Sequence, residues 1–302
     1  MKDSWKGKHL LSKMRISSMC NDDTHLSLIK NDSTSEDLCR KGYEQLGKGE
    51  FKMAAHIFHQ ALEIRPDFAE AHLGLSYSVL PGEDYRSILK RFHDWLAPVR
   101  YMEIGIENGE SMALARMPIR SVGIDPSPKV RVDLSPNARI FEATSDEFFS
   151  TMDVQAVLGG PVDLALIDGL HLFEQALRDF INVEKYSRPT SVILIHDTLP
   201  LDSITSRRKQ TTQFWSGDVW KIVPCLETYR KDLTVVNIAT PPTGLLAVTN
   251  LNPDSDALEK NYDQILDEFL PLGFEDISER NYLADVTAND WKLIKERLQL
   301  EK

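Results

Sequence analysis

Glu103-Ile104-Gly105-Ile106-Glu107-Asn108-Gly109-Glu110-Ser111 closes the apolar run of residues 99–105 and leads into a polar segment. It reads as a strand, a glycine turn and a helix start in immediate succession. Gly105 and Gly109 would let the backbone approach a ligand at the carboxyl edge of a parallel sheet, where open α/β folds bind cofactors. Working outward, the short apolar runs 121–125, 139–142, 162–168 and 191–197 alternate with helical stretches. That alternation predicts parallel strands joined by crossover helices. The last two runs, 233–239 and 244–251, are separated only by Thr240-Pro241-Pro242-Thr243. With no helix between them they form a hairpin-like pair, so one strand must run antiparallel. Amphipathic stretches at 258–270 and 291–300 predict helices packed on this domain or on a second subunit, which makes a homo-oligomer one expectation.

Asp125 ends the second run, twenty residues after Gly105. An acid at that distance is placed to accept hydrogen bonds from two ribose hydroxyls. The turn itself excludes a common ribose ligand. A dinucleotide fingerprint needs a glycine two positions after the first, so that a pyrophosphate can reach the helix N-terminus, and here that position is Glu107. A nicotinamide-dependent oxidoreductase is thereby disfavoured. A ligand that carries an amino group and no phosphate is compatible with Glu103 and Glu107.

The pattern E-x-G-x-x-x-G-x-S, the acid ending the second strand and the polar Thr144-Ser145-Asp146 after the third resemble the class I S-adenosylmethionine-dependent methyltransferases over roughly residues 99–251. A larger residue in place of the middle glycine also occurs in their catechol O-methyltransferase-like branch. The resemblance implies an α/β fold with a doubly wound, mostly parallel seven-stranded sheet. It places Glu103, Gly105 and Gly109 at the cofactor, Ser111 on the methionine carboxylate, Asp125 on the ribose and Thr144, Ser145 or Asp146 on the adenine edge. Residues 144–146 also read as a helix N-cap before Phe148 and Phe149, and the two roles are compatible.

The fourth run ends in Asp168-Gly169-Leu170-His171 and the fifth in His196-Asp197-Thr198. Asp168 and Asp197 are hard carboxylates suited to Mg²⁺, and His196 is a softer ligand that also suits Mn²⁺ or Zn²⁺. The two motifs resemble the metal-dependent small-molecule O-methyltransferases, including those acting on sugars. By that resemblance Asp168, His196 and Asp197 hold Mg²⁺ or Mn²⁺, and Asp168 and His171 are catalytic. His171 falls where catechol-type enzymes carry a lysine base, and His196 where many relatives carry Asp. Carboxylates that cap the following segments, and a packing histidine, are the alternative readings. Between the fifth and sixth runs, a polar segment before Trp215 reads as a lid. Trp215 or Trp220 would wall an acceptor pocket or fill the core.

The rest of the chain bounds this reading. Its 302 residues are 42% apolar, enough for one large and one small domain, and its formal charge of −11 argues against nucleic acid as the main substrate. No apolar run approaches a membrane span and no signal-type run follows the basic start, so a cytoplasmic protein without a membrane partner is expected. Cys20, Cys39 and Cys225 have no metal-type spacing. The polar residues 1–34 read as a flexible lead-in. Within 35–82, Gly42, Ala54, Phe58, Ala61 and Pro66 fall where a tetratricopeptide repeat places its packing residues, followed by the first helix of a second repeat. Residues 83–252 form the methyltransferase-like domain and 253–302 a helical extension. The expected function is metal-assisted O-methylation of a hydroxylated small-molecule acceptor, a sugar or natural-product intermediate. The competing expectation is a scaffold that recruits a protein partner through the repeat and carries a degenerate domain.

Overall fold

The structure, a computed structural model, describes residues 34–300. The expected lead-in lies almost wholly outside the described residues, as does Cys20. Thr34 caps the first helix, α1 (Ser35–Gly47), by accepting from Asp37 N. It is followed by α2 (Phe51–Ile64) and α3 (Ala69–Val79). The α2 helix stops at Ile64, just before Pro66, whose ring blocks a further turn. These helices pack around the fully buried Phe58, with Leu38, Ala54, Ala61 and Leu75 in the same cluster. Gly42 and Gly74 face the Phe58 ring so closely that a Cβ on either would lie within 2.9 Å of it. The small residues therefore sit where two helices must approach one large ring.

The helix α4 (Tyr85–Leu96) precedes a single sheet of β1 (Arg100–Ile104), β2 (Arg120–Asp125), β3 (Ala138–Glu142), β4 (Val162–Ile167), β5 (Ser187–His196), β6 (Thr234–Ile238), β7 (Leu245–Thr249) and β8 (Val286–Thr287). Its order is β3-β2-β1-β4-β5-β7-β6-β8. All pairings are parallel except those of β7, which runs against both β5 and β6, as the helix-free connection between β6 and β7 requires. The fold class is the expected α/β one, with eight strands rather than seven. The extra strand, β8, adds to β6 through Asn237↔Val286 and Ile238↔Thr287. Two residues are too few to show a period-two pattern, so the tail read as helices only. Those helices are α9 (Ala257–Lys260), α10 (Tyr262–Phe269), α11 (Phe274–Glu279) and α12 (Trp291–Leu298), after α5 (Ser145–Thr151), α6 (Val154–Leu158), α7 (Phe173–Lys185) and α8 (Ile222–Tyr229).

A second departure concerns the crossovers. The helix expected after Gly109 is one 3₁₀ turn, Met112–Leu114, and the connection from β2 to β3 has no helix. Prolines explain both: Pro118 closes the first segment, and Pro126, Pro128 and Pro136 interrupt the second. The sheet face left bare is covered from elsewhere. Ile88, Leu89 and Phe92 of α4 join Ile294 and Leu298 of α12 over Tyr101, Leu164, Leu166, Val192 and Leu194. Phe92 and Trp291 lock the two helices edge to face, 5.1 Å between ring centroids. The opposite face carries α7, whose Phe173, Leu177 and Phe180 are buried with Val122, Ile167 and Ile195.

The N-terminal helices grip the carboxyl edge of this sheet. His72 Nε2 lies 3.1 Å from Asp202 Oδ2 after β5, and Ser76 Oγ donates to Pro242 O in the β6–β7 connection at 2.6 Å. Cys39 and Cys225 are buried free thiols. No helix among the described residues is long and apolar enough to cross a membrane. Phe58→Ala should destabilise the protein by about 3–5 kcal/mol, the cost of deleting a fully packed ring. Urea denaturation followed by circular dichroism measures it, and a change under 1 kcal/mol would show that the three-helix cluster is not cooperatively packed.

Candidate functional site

The turn after β1 and the end of β4 are in backbone contact. Gly105 N donates to Ile124 O at 2.8 Å, and Asp168 N donates to Ile104 O at 2.8 Å. Gly105 has φ +83°, and a Cβ there would sit 2.0 Å from Asp168 O. Only glycine fits a left-handed residue at so close a crossing. Asp125 ties the turn to β2: its Oδ2 accepts from Ile106 N and Glu107 N, both at 3.0 Å, and its Oδ1 from Ser127 N at 2.7 Å.

Glu103 and Ser111 meet each other under the turn. Glu103 is fully buried, Oε1 accepting from Ser111 Oγ at 2.5 Å and Oε2 from Tyr101 OH at 2.6 Å. Burial, only partly offset by these two donors, pushes its carboxyl up to about 8. A side chain so enclosed shapes the turn from below, which differs from the direct cofactor contact expected of it. Gly109 has φ +84° and packs against Val130 and Val132. Thr144 is the N-cap of α5 and forms a capping box with Glu147. Ser145 Oγ and Asp146 Oδ1 both accept from Gln175 Nε2, at 3.0 and 3.2 Å. The capping role read for residues 144–146 is thus realised, and it leaves Asp146 exposed at the carboxyl edge of β3.

The second cluster stands at the ends of β4 and β5, which pair through Ile167↔Ile195. His171 Nδ1 is 3.0 Å from both Asp197 Oδ2 and Trp215 O, and Nε2 is 3.5 Å from Asp168 Oδ1. Asp197 Oδ1 accepts from Thr243 Oγ1 at 2.5 Å. Asp197 Oδ2 is buried and has no hydrogen-bond partner among the described residues, its approach to His171 being a charge contact without hydrogen-bond alignment. His171 and Asp197 both have left-handed backbone, φ +57° and +65°. Such residues cost of order 1–3 kcal/mol each and persist where the surroundings over-determine them. Part of that constraint is the 198–218 loop: Trp215 stacks on the His171 ring, and a Cβ on Gly217 would lie 1.8 Å from His171 O.

Asp168, His171 and Asp197 each offer a ligand atom within 4.8 Å of the others. The cavity they share with Gly169 and Asp179 holds about 10 Å³, the scale of one water or one ion. The open Asp197 oxygen and a two-carboxylate, one-imidazole donor set fit a divalent cation. The expected set had His196 in the place of His171. His196 instead has Nδ1 3.1 Å from Asp168 Oδ1, Nε2 3.4 Å from Thr243 Oγ1 and the Tyr85 ring stacked 4.0 Å away. The left-handed turn at His171 swings its imidazole back toward the strand ends, a reversal that linear spacing does not reveal.

Charge coupling sets the protonation of the cluster. Burial disfavours a charged His171, yet Asp197 and Asp168 outweigh it and push its pKa up to about 10. Burial likewise opposes the Asp168 charge, but His196 and His171 hold that carboxyl far below its usual range. Asp197 goes the other way, burial raising it more than the two histidines lower it. The two carboxylates therefore favour the protonated form of His171. Three participants escaped the sequence reading: Tyr85 from α4, Thr243 from the β6–β7 connection, and the buried Asp179 of α7, whose carboxyl burial pushes up to about 6. Trp220 is a core residue, 1% exposed, so of the two tryptophans only Trp215 reaches the site.

Residues 102–198 match the family model described as a methyltransferase domain, a span from β1 to the end of β5 that holds Gly105, Asp125, Asp168 and Asp197. That segment is similar to methyltransferase domains. No curated protein matches the chain. Among solved structures, it is similar to the O-methyltransferase from Bacillus cereus in complex with SAH, at 14% identity, covering 74% of this chain and 93% of that one with a TM-score of 0.41. It is also similar to the O-methyltransferase TomG from Streptomyces achromogenes, at 15% identity, 67% and 90% coverage and a TM-score of 0.41. The SAH-bound Podospora anserina methyltransferase PaMTH1 is similar at 13% identity, with 82% and 97% coverage and a TM-score of 0.42.

The state of Glu103 has a measurable consequence. Its folded pKa of about 8 stands above the ordinary 4.5, so the unfolded chain releases this proton first. The stability it confers is complete below its ordinary pKa and is lost as pH rises through its folded pKa. In urea titrations between about pH 5 and pH 8, Glu103→Gln should lose less stability than the parent protein. Equal losses in the two would show that Glu103 is ionised in the fold.

Proposed function

We propose that this chain is an S-adenosylmethionine-dependent methyltransferase acting on a hydroxyl of a small molecule with the help of a divalent cation. The observation that carries the reading is the contact of two built sites across Gly105 and Asp168: a glycine turn tied to a strand-end acid, and a cation-fitting cluster beside it. The match of residues 102–198 to a methyltransferase domain supports the first half. S-adenosylmethionine supplies an electrophilic methyl group on its sulfonium. In this reading Asp125 accepts from the ribose hydroxyls with the lone pairs its backbone donors leave, Ser111 and the turn meet the methionine end, and Asp146 meets the adenine edge.

Asp168 and Asp197 would hold the cation, leaving the one free lone pair of the neighbouring His171 for a proton. Bound there, it supplies positive charge that lowers the pKa of an acceptor hydroxyl and offsets the carboxylates that keep His171 protonated. Once neutral, His171 can take the hydroxyl proton, while Trp215 and the 198–218 loop exclude water. Most of the rate then comes from holding the acceptor oxygen in line with the methyl. Helices α1–α3 serve as a tetratricopeptide-like cap that fixes this loop through His72 and Asp202. The same helices also give the scaffold reading its surface, but the strained, coupled cluster favours catalysis.

In calorimetry with S-adenosylhomocysteine, Asp125→Ala should bind about tenfold more weakly or worse, and unchanged affinity would remove the cofactor assignment. Asp168→Ala and Asp197→Ala should each abolish Mn²⁺ binding seen by electron paramagnetic resonance while leaving S-adenosylhomocysteine affinity nearly unchanged. Intact Mn²⁺ binding in both would sink the metal half. With an acceptor from a panel of hydroxylated compounds, His171→Ala should slow turnover by roughly 10²–10⁴-fold.

A further inference from the structure

A second, roomier cleft lies away from this site. It is formed at the amino edge of the sheet by the starts of β1, β2 and β3 and by the end of α6, and it encloses about 510 Å³. Three arginines line it, Arg100, Arg120 and Arg139, one from each strand. Arg100 and Arg120 are direct neighbours in the ladder, and Arg139 pairs with Val122, two residues along from Arg120. None of the three forms an ion pair with a carboxylate among the described residues, in a chain whose formal charge is −11. Asp163 on the neighbouring strand is already taken: it accepts from Val99 N and Arg100 N and pairs with Arg188.

The guanidinium groups are nonetheless held in place. Arg100 Nη2 donates to Gly159 O at 2.9 Å, and Arg120 Nη1 donates to Leu158 O at 3.3 Å, both at the carboxyl end of α6. Gly159 and Gly160 make room for them, since a Cβ on either would lie under 3 Å from a guanidinium atom. The Arg139 guanidinium lies 5.2 Å over the Phe141 ring. A guanidinium has five N–H donors, so one carbonyl bond orients each group and leaves most donors for a ligand. The remaining walls are mostly apolar, from Val99, Pro118, Val157 and Leu158, with the polar Asn137 among them.

From this juxtaposition we infer a second binding site, for a small organic phosphate of two or three negative charges with an apolar body. Arginine forks match the oxygens of phosphate in pairs, which suits a phosphate better than isolated charge does. The volume is that of a small-molecule pocket, and a concave cleft of this size suits such a ligand better than an extended acidic peptide. The five residues of β1 span roughly 16 Å, so this site and the carboxyl-edge site lie on opposite ends of the same strands.

The test is calorimetry of the full chain at low ionic strength with ADP and inorganic pyrophosphate, with and without saturating S-adenosylhomocysteine. ADP should bind at one site whether or not S-adenosylhomocysteine is present, and pyrophosphate should compete with it. Arg139→Gln, which removes no hydrogen bond within the protein, should weaken ADP about tenfold or more and leave S-adenosylhomocysteine affinity unchanged. Arg120→Gln should do the same, with a melting curve to show that α6 remains docked. Absence of ADP binding, loss of it when S-adenosylhomocysteine is added, or unchanged affinity in Arg139→Gln would each overturn the site. Tighter binding of a polyglutamate peptide than of ADP would overturn its assignment to a small phosphate.

Discussion

The approach of Gly105 to the backbone of Asp168 is the contact on which the rest of the molecule depends. Two neighbouring parallel strands end at the same level, and the chain leaving β1 must turn across the chain leaving β4 with no room for a side chain. That crossing brings the acid Asp125 and a carboxylate–imidazole cluster into one neighbourhood. Asp125 holds the turn through two of its backbone N–H groups, those of Ile106 and Glu107, and the buried Glu103 holds it from below through Ser111. Neither side chain is free to drift, so the position of the turn is fixed before any ligand arrives. This is the preorganisation that positional catalysis requires.

A second layer of constraint comes from outside the sheet. The 198–218 loop is fastened to α3 by His72 and Asp202, and it fastens His171 in turn through Trp215 and Gly217. Tyr85, the first residue of α4, lies against His196. The N-terminal helices are therefore continuous with the cluster at the carboxyl edge, because they set the loop that sets the histidine.

The centre of the parallel sheet was legible because its strands are buried on both faces, so runs such as residues 162–167 are almost uniformly apolar and bounded by glycine or acid. The turn after β1 was legible because Gly105 and Gly109 directly follow an apolar run. What stayed hidden depends on three-dimensional reversal. His171 and Asp197 adopt left-handed backbone that only glycine advertises in a sequence, so the return of the His171 imidazole to Asp168 and Asp197, alongside His196, could not be read. Tyr85 packs on His196 from 111 residues earlier in the chain and Thr243 bonds Asp197 from 46 residues later, separations without any local signature. The missing crossover helices had a visible cause in Pro118, Pro126 and Pro128, which the alternation of apolar runs overshadowed.

The edge-to-face contact of Phe92 and Trp291 carries a consequence for how the chain matures. One face of the sheet is roofed by α4, which precedes every strand, and by α12, which follows them all. A ribosome releasing this chain from its N-terminus completes β1 to β7 before the second half of the roof exists. Until then Val236, Ile238 and Ala247 have no cover from Ile294 and Leu298, and the nascent domain presents an oily sheet surface to its surroundings. Helix α12 thus acts as the latch of the domain, and its closure must wait until all eight strands have been made.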